Sequence, residues 1–160
     1  MNKKICDSKA VIQVIGSIYQ NPELLDNEQY NFNEDDFPMD FHKVMFGSIY
    51  NLHALGAKSI TVNTIEDYLE QRPQKLAIYK ANNGAEWIDK VKDTVSLATF
   101  DYYYKRLKKF TLLRMYDNIG VDIKSIYDVD NILDLKKKQK QEEWLDNVSI
   151  EEIADKINNK

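Results

Sequence analysis

The chain has 160 residues, a net charge of −4 and a single cysteine, Cys6. This length suits one domain, or one domain with an appendage, and the acidic total argues against a protein that only binds nucleic acid. One cysteine excludes an internal disulfide and a cysteine-based zinc site, and no apolar run approaches the roughly 20 residues of a membrane span. The N-terminus lacks the apolar core of a secretion signal, so we expect a cytoplasmic protein.

Residues 1–97 predict a compact head of five helices. Five glycines and three prolines in the whole chain are too few for a turn-rich β fold. Apolar residues at helical spacing place the helices at about 8–19, 40–55, 62–71, 74–81 and 85–95. Gly16, inside the first helix, costs about 1 kcal/mol relative to alanine, and we explain it by another helix that crosses closely there.

Residues 98–160 predict a long helix followed by a helical hairpin and a C-terminal linker helix. The run 99–126 has no proline, and its only glycine is Gly120. A coiled-coil-like seam follows from residues at alternating three- and four-residue steps. A helix with such a seam needs a partner, either later in the chain or in another chain. The predicted contact residues are Phe100, Tyr103, Leu107, Phe110 and Leu113, with Leu133 and Trp144 from the polar helix that follows.

The end of the chain adds two further helix signals. Asp128 and Asp130 are possible caps of the polar helix, and Ser149 with Glu152 forms a capping box that opens a final helix to about Ile157. All these elements together predict an all-α protein.

Motifs for catalysis and for cofactor binding are absent from the sequence. The five glycines are isolated, so no phosphate-binding loop exists. His42 and His53 lie eleven residues apart on one predicted helix, about 16 Å from each other at the helical rise, and cannot bind one metal together. We therefore expect no catalytic residue, no cofactor and no metal site in this chain.

Two features resemble nucleic-acid sites but favour simpler interpretations. Tyr102–Tyr104 spread over about 200° of a helix, so they cannot form one base-stacking platform. Lys136–Lys138 and Lys140 form a basic run, but four acidic residues offset it, which favours a solvated helix face. Those residues are Asp134, Glu142, Glu143 and Asp146.

Five segments follow one another in an order that resembles a known family. They are AVIQVIGSIYQNPELL (10–25), DFPMDFHKVMFGSIYNLHALG (36–56), SITVNTIEDYL (59–69), Gly84 with Trp87-Ile88, and TFDYYYKRLKKFTLLR (99–114). Over residues 8–126 they are similar to the N-terminal domain of DnaB-type replicative DNA helicases, in a divergent form like phage or mobile-element members. The matching positions include Gly16, Pro22, Phe37, His42, Phe46, Gly56, Gly84 and Trp87.

The resemblance implies a non-catalytic assembly and docking domain. In that family a helical head precedes a hairpin, hairpins pair into dimers, and the dimers build the collar of a hexameric ring that binds primase and the helicase loader in the primosome. The family's motor domain, with its P-loop, ATP and Mg²⁺, does not occur in this sequence. The chain is thus expected to be either a fragment of an ATP-dependent helicase or a free-standing relative.

Two alternatives remain beside this interpretation. The first is a free-standing phage or plasmid protein that docks on a host replicative helicase and modulates it. The second is a small helical DNA-binding regulator with residues 60–69 as its recognition helix, flanked only by Lys58 and Arg72. We expect little or no direct nucleic-acid binding, and we expect self-association.

Overall fold

The computed structural model describes residues 2–130 and 134–158, and these residues form α-helices and short 3-10 helices without a strand. The predicted all-α class is confirmed. No helix among the described residues is long and apolar enough to cross a membrane. The helices are α1 (Ser8–Gln20), α2 (Asp40–Ala54), α3 (Val62–Glu70), α4 (Pro73–Ala81), α5 (Gly84–Val91), α6 (Leu97–Asn118), α7 (Leu135–Asn147) and α8 (Ile150–Asn158).

The chain divides into two compact units. The head unit is Ser8–Tyr104, and the tail unit is Met1–Asp7 together with Lys105–Lys160. The predicted division at 97/98 differs from this one at both ends of the head. The first two turns of α6 belong to the head because Phe100 and Tyr104 pack against Tyr30 there. The N-terminal residues belong to the tail because Ile5 is buried in the tail's core.

Helix α1 of the head unit is crossed closely by the end of α5 and the 3-10 turn that follows it. A Cβ atom added to Gly16 would lie 2.6 Å from Cγ1 of both Val91 and Val95, so the predicted close crossing at Gly16 is confirmed. Polar side chains fix the same crossing, since Gln13 Nε2 donates to the carbonyl of Thr94 at 3.1 Å. Glycine at this position lowers the helix propensity of α1, but it allows the two segments to pack closely.

The acidic segment between α1 and α2 is held on the head by its aromatic residues. Phe37 is fully buried and stacks on Phe46 with ring centroids 4.6 Å apart. Tyr30 meets the edge of Phe100 at 4.8 Å, and its hydroxyl donates to Asp101 at 3.2 Å. Aromatic packing therefore fixes this acidic segment on the head although most of it is irregular.

Helix α6 ends at Asn118, so the prediction of a helix through Ile126 is wrong in its extent. Gly120 has a φ of +89°, a left-handed conformation in which glycine is favoured. Its N–H donates to the carbonyl of Asp117, and the N–H of Val121 donates to that of Tyr116, both at 3.0 Å. This is the Schellman arrangement that terminates helices.

Two capping side chains start the helices at the end of the tail. Asp134, rather than Asp128 or Asp130, caps α7 by accepting from the N–H of Lys137 at 3.0 Å. The predicted Ser149 cap is confirmed, because its hydroxyl accepts from the N–H of Glu152 at 3.0 Å. The tail's buried core contains Ile5, Phe110, Leu113, Ile123, Ile126, Tyr127, Leu145, Val148, Ile153 and Ile157.

Candidate protein-interaction site

The apolar seam of α6 is buried within the chain itself. Phe100, Leu107 and Phe110 are 2%, 2% and 3% exposed, and Leu113 is fully buried. Phe110 meets the edge of Tyr127, with ring centroids 5.2 Å apart. As a correction to the predicted contact surface, these four side chains are core residues of this chain. Phe100 packs against Tyr30 and Phe32 in the head, and Phe110 and Leu113 belong to the tail core. They offer no exposed face to a second chain.

The other predicted contact residues have different surroundings. Tyr103 and Trp144 are half-buried, and each has a lysine ammonium near its ring: Lys9 lies 5.8 Å from the centroid of Tyr103, and Lys156 lies 4.7 Å from that of Trp144. Leu133 lies outside the described residues. Of the predicted contact residues that the structure describes, four are therefore buried in the core and two have partly exposed aromatic rings.

A different apolar stripe of α6 is exposed. Met115 is 53% exposed and Ile119 is 73% exposed, whereas Leu112 is half-buried beside the tail core. Steps of three and four residues put Leu112, Met115 and Ile119 on one side of the helix. This exposed stripe, which we name the α6 stripe, is a tail surface that could contact another apolar surface without any rearrangement of the tail.

Arg106 is the centre of a charged cluster in the tail. Its guanidinium donates to Asp7 at 2.5 Å, to Asp146 at 2.5 Å and to Glu142 at 2.7 Å. The hydroxyl of Tyr127 donates to the second oxygen of Glu142. One cation thus joins the N-terminal segment and α7 to α6. We name Arg106, Asp7, Glu142 and Asp146 the Arg106 cluster.

Burial and hydrogen bonds shift the pKa values of Arg106, Tyr127 and Lys109. Burial alone would lower the pKa of Arg106, but the hydrogen bonds with the three carboxylates raise it above its usual value. Burial also raises the pKa of the Tyr127 hydroxyl, and the hydrogen bond to Glu142 raises it further. Burial lowers the pKa of Lys109. The cluster is an ion network that joins the N-terminal segment, α6 and α7 within the tail.

Two further cations of α6 bind backbone carbonyls. Lys109 donates to the carbonyl of Leu145 at 2.7 Å, near the C-terminal end of α7, where the helix dipole favours positive charge. Arg114 is 1% exposed and donates to the carbonyl of Ile5 at 2.7 Å. The basic character of residues 105–114 is therefore used largely inside the tail.

The head residues that match the family motifs contribute to packing or to the ends of helices. A Cβ on Gly84 would lie 2.3 Å from the ring of Tyr79. Gly56 has a φ of +85° at the end of α2, and Pro22 begins a 3-10 helix. Trp87 packs against Phe41 and His42, with ring centroids 5.0 Å and 5.8 Å apart. These residues build the head rather than a reactive site.

A groove runs along α2, with α3 and α4 on its other side. Its volume is about 200 Å³, and Gly47, Asn51 and Tyr68 are among the residues that line it. Asn51 Nδ2 donates to the Tyr68 hydroxyl at 2.8 Å. A Cβ on Gly47 would meet no atom within 4 Å. Lysines and carboxylates both line the groove, so it gives no indication of one ligand chemistry.

Neither histidine belongs to a metal site among the described residues, which include no cluster of three potential ligands. His42 lies beside Trp87, and burial lowers its pKa. His53 pairs with Asp26 at 2.8 Å. On α3, the proposed recognition helix, Ile65 and Leu69 are fully buried, and Asp67 and Glu70 are exposed. Exposed carboxylates are unsuited to contacts with phosphates.

Sequence reasoning missed the Arg106 cluster. The partners of Arg106 lie 99, 40 and 36 residues away, so no local pattern links them. One signal was present, because an arginine directly beside a seam leucine must satisfy its charge when the helix packs.

Comparisons with known proteins give a consistent result. The family model described as DnaB-like helicase N terminal domain matches residues 5–109. The chain is also similar to the SPbeta prophage-derived uncharacterized protein YorI of Bacillus subtilis (strain 168), with 40% identity over 148 residues. That alignment covers 92% of this chain and 29% of the relative, so the chain spans less than a third of the relative's length. A search of solved structures finds no match.

Proposed function

The chain belongs to the family of DnaB-like helicase N-terminal domains, and we propose from this membership that it is the assembly and docking domain of a replicative DNA helicase. Its proposed role is to pair with a second copy through the tail, to contribute to the collar of a hexameric ring, and to bind primase or the helicase loader. It performs no catalysis itself. ATP and Mg²⁺ would bind only to the motor domain of such a helicase, and the cytoplasm is the proposed compartment.

The observation that carries this proposal is the extent of the family match. Residues 5–109 include the whole head and the first thirteen residues of α6. The match therefore spans the elements on which docking and pairing would depend. The relative from the prophage is much longer than the matched segment, which supports a domain that works beside others in one protein.

The α6 stripe is the proposed pairing surface. The buried seam cannot serve, since Phe110 and Leu113 are already packed in the tail core. Met115 and Ile119 are exposed and apolar. If the stripes of two copies pack together, each buries the apolar surface of the other, and this burial contributes a free energy of roughly 25 cal/mol per Å². The proposed contact thus lies about half a turn to two turns beyond Leu113, the last residue of the predicted seam.

Light scattering coupled to gel filtration tests the pairing. We expect the wild-type chain to be a dimer or larger at high micromolar concentration, and the double variant Met115→Asp/Ile119→Asp to be a folded monomer. The matched control is Met39→Asp/Leu55→Asp, which changes two exposed apolar residues of the head and should leave the assembly intact. A monomeric wild type, or equal dissociation by both double variants, would contradict the pairing surface.

Docking requires a separate measurement. We expect the purified chain to capture the cognate primase or loader, and the monomeric α6 variant to show whether capture needs pairing. Failure to bind either protein would remove the docking half of the proposal while leaving the pairing half intact.

A free-standing modulator of a host helicase is the second candidate, and the prophage origin of the relative favours it. The two candidates differ in the partner. A modulator should bind the host's assembled hexameric helicase and change its ATPase rate, whereas an assembly domain should pair with copies of itself. Binding to the host hexamer without self-association would support the modulator.

A further inference from the structure

The exposed lysines of α7 are the strongest charged surface that the proposed function leaves unused. Lys136, Lys137, Lys138 and Lys140 lie in the first two turns of α7, and all four are exposed. Within the described ranges, no carboxylate lies within ion-pair distance of any of the four. At ~100° per residue, they spread over about 200° of the helix circumference.

The acidic residues that would offset these lysines are engaged elsewhere. Glu142 and Asp146 both bind Arg106, at 2.7 Å and 2.5 Å. The carboxylate of Asp134 accepts from the backbone of Lys137 as the helix cap. Glu143, which accepts from Gln139, is the remaining member of the set. The predicted offset of charge on this solvated helix face is therefore smaller than the sequence indicates, because Glu142 and Asp146 already pair with Arg106.

The lysines are also in an unfavourable place for the stability of α7. The N-terminal end of a helix carries a partial positive charge, which disfavours nearby cations. Like charges at Lys136 and Lys140 face each other across one turn and repel. Side chains that are exposed, repel one another and oppose the helix dipole do not contribute to folding. Such local conflicts are expected at functional surfaces.

The fold brings a further lysine to this surface from the other end of the sequence. Lys4 and Lys138 line the same cavity, which has a volume of about 150 Å³. The N-terminal segment is held there because Ile5 is buried in the tail core and Asp7 binds Arg106. One carboxylate, that of Asp128, lines the same cavity, and it accepts from the N–H of Asp130. The surface is thus basic although the whole chain is acidic.

In contrast to the little or no direct nucleic-acid binding expected from the sequence, we propose that Lys4 and the four lysines of α7 bind the phosphate backbone of nucleic acid. Lysine ammonium groups without arginine forks or stacking aromatic rings contact phosphates and do not read bases, so binding is independent of sequence. A flexible polyanion can follow lysines spread over more than half of a helix, whereas a folded acidic protein presents one face. Binding releases counterions and weakens steeply with salt. The site does not depend on pairing through the α6 stripe.

Fluorescence anisotropy with labelled single-stranded DNA tests the site in the full chain. We expect Lys136→Gln/Lys137→Gln/Lys138→Gln/Lys140→Gln to lose at least about tenfold in affinity at low salt. Its salt slope should fall by up to about 3, at ~0.7 per contact on single strands. The matched control is Lys58→Gln/Lys75→Gln/Lys80→Gln/Lys90→Gln, which removes the same charge from exposed positions of the head and should bind DNA as wild type does.

Several results would overturn the proposal: equal losses in the two quadruple variants, no measurable binding by the wild-type chain at low salt, or polyglutamate or phosphatidylserine vesicles bound more tightly than DNA. Binding of single strands at least as tight as that of duplex would support it, because a flexible strand can follow lysines spread around the helix, and tighter binding of duplex would contradict it. A melting temperature of the α7 variant at or above that of wild type supports it, because loss of binding then does not follow from unfolding.

Discussion

The head and tail units are stabilised by different interactions. The head combines apolar packing with aromatic pairs such as Phe37–Phe46 and Phe41–Trp87. The tail combines an apolar core with buried cations, of which Arg106 and Arg114 are at most 8% exposed. The difference shows that a run of basic residues in the sequence can lie inside the protein, where its charges join separate segments of the chain. Their charges fix which segments meet.

Buried ions contribute more to specificity than to net stability. Desolvation of the ions offsets much of their attraction, but removal of one partner leaves the others buried and unpaired. The tail should therefore be more sensitive than the head to the loss of a single charged side chain. Each unit has one tryptophan, Trp87 in the head and Trp144 in the tail, so Trp87→Phe and Trp144→Phe backgrounds report on the units separately.

The largest expected effect is that of Arg106→Ala. It leaves three carboxylates close together without their cation, and we expect the tail to lose roughly 3 kcal/mol. Urea unfolding monitored by Trp144 fluorescence in the Trp87→Phe background measures the loss. The control Arg72→Ala changes a head arginine whose guanidinium lies over Tyr68 and should not move the Trp144 transition. If Arg106→Ala left that transition unchanged, the Arg106 cluster would not hold the tail together.

Gly16→Ala should have the next largest effect, on the head. The added methyl group would lie 2.6 Å from two valine methyl groups, and overpacking of this kind costs about 1–3 kcal/mol. Thermal unfolding followed by Trp87 fluorescence in the Trp144→Phe background measures it. Stabilisation of the head would show that Val91 and Val95 move aside without cost.

Alkaline pH should weaken the tail through Tyr127. Burial and the Glu142 hydrogen bond raise its pKa above the ordinary value of 10. The stabilisation from this raised pKa is fully present below pH 10 and is lost as pH rises through the folded-state value. At pH 11 the expected loss is about 1.4 kcal/mol.

Tyr127→Phe is the control for the alkaline effect. Without the hydroxyl, the Trp144 transition should lose less stability between pH 9 and pH 11 than it does in the parent protein. Identical pH slopes in the two proteins would contradict this assignment. The Trp87 transition should not respond to the substitution.

The smallest expected effect is the stabilisation of the head by Gly47→Ala. The added methyl group meets no atom within 4 Å, and alanine is favoured over glycine inside a helix by about 0.5–1 kcal/mol. Differential scanning calorimetry against Gly16→Ala measures the contrast. A destabilised Gly47→Ala would indicate that the groove along α2 needs the glycine for a reason that the contacts within the chain do not show.

The sequence was most informative for the head. Local periodicity and caps placed helices such as α2, predicted at 40–55 and observed at Asp40–Ala54, because these signals lie within a few residues of each other. Gly16 even predicted a tertiary contact. The tail was less predictable because its organisation depends on Arg106 and carboxylates from distant segments. The seam of α6 was identified correctly as apolar, but periodicity cannot distinguish a partner in the same chain from one in another.

Phe110→Asp tests that distinction most directly. Its burial beside Tyr127 predicts that a charge at this position disrupts the tail core, with loss of helical circular dichroism and a red shift of Trp144 emission, while Trp87 still reports a folded head. A variant that keeps full helix content and native Trp144 emission but becomes monomeric would contradict the account and return the seam to the interface between chains.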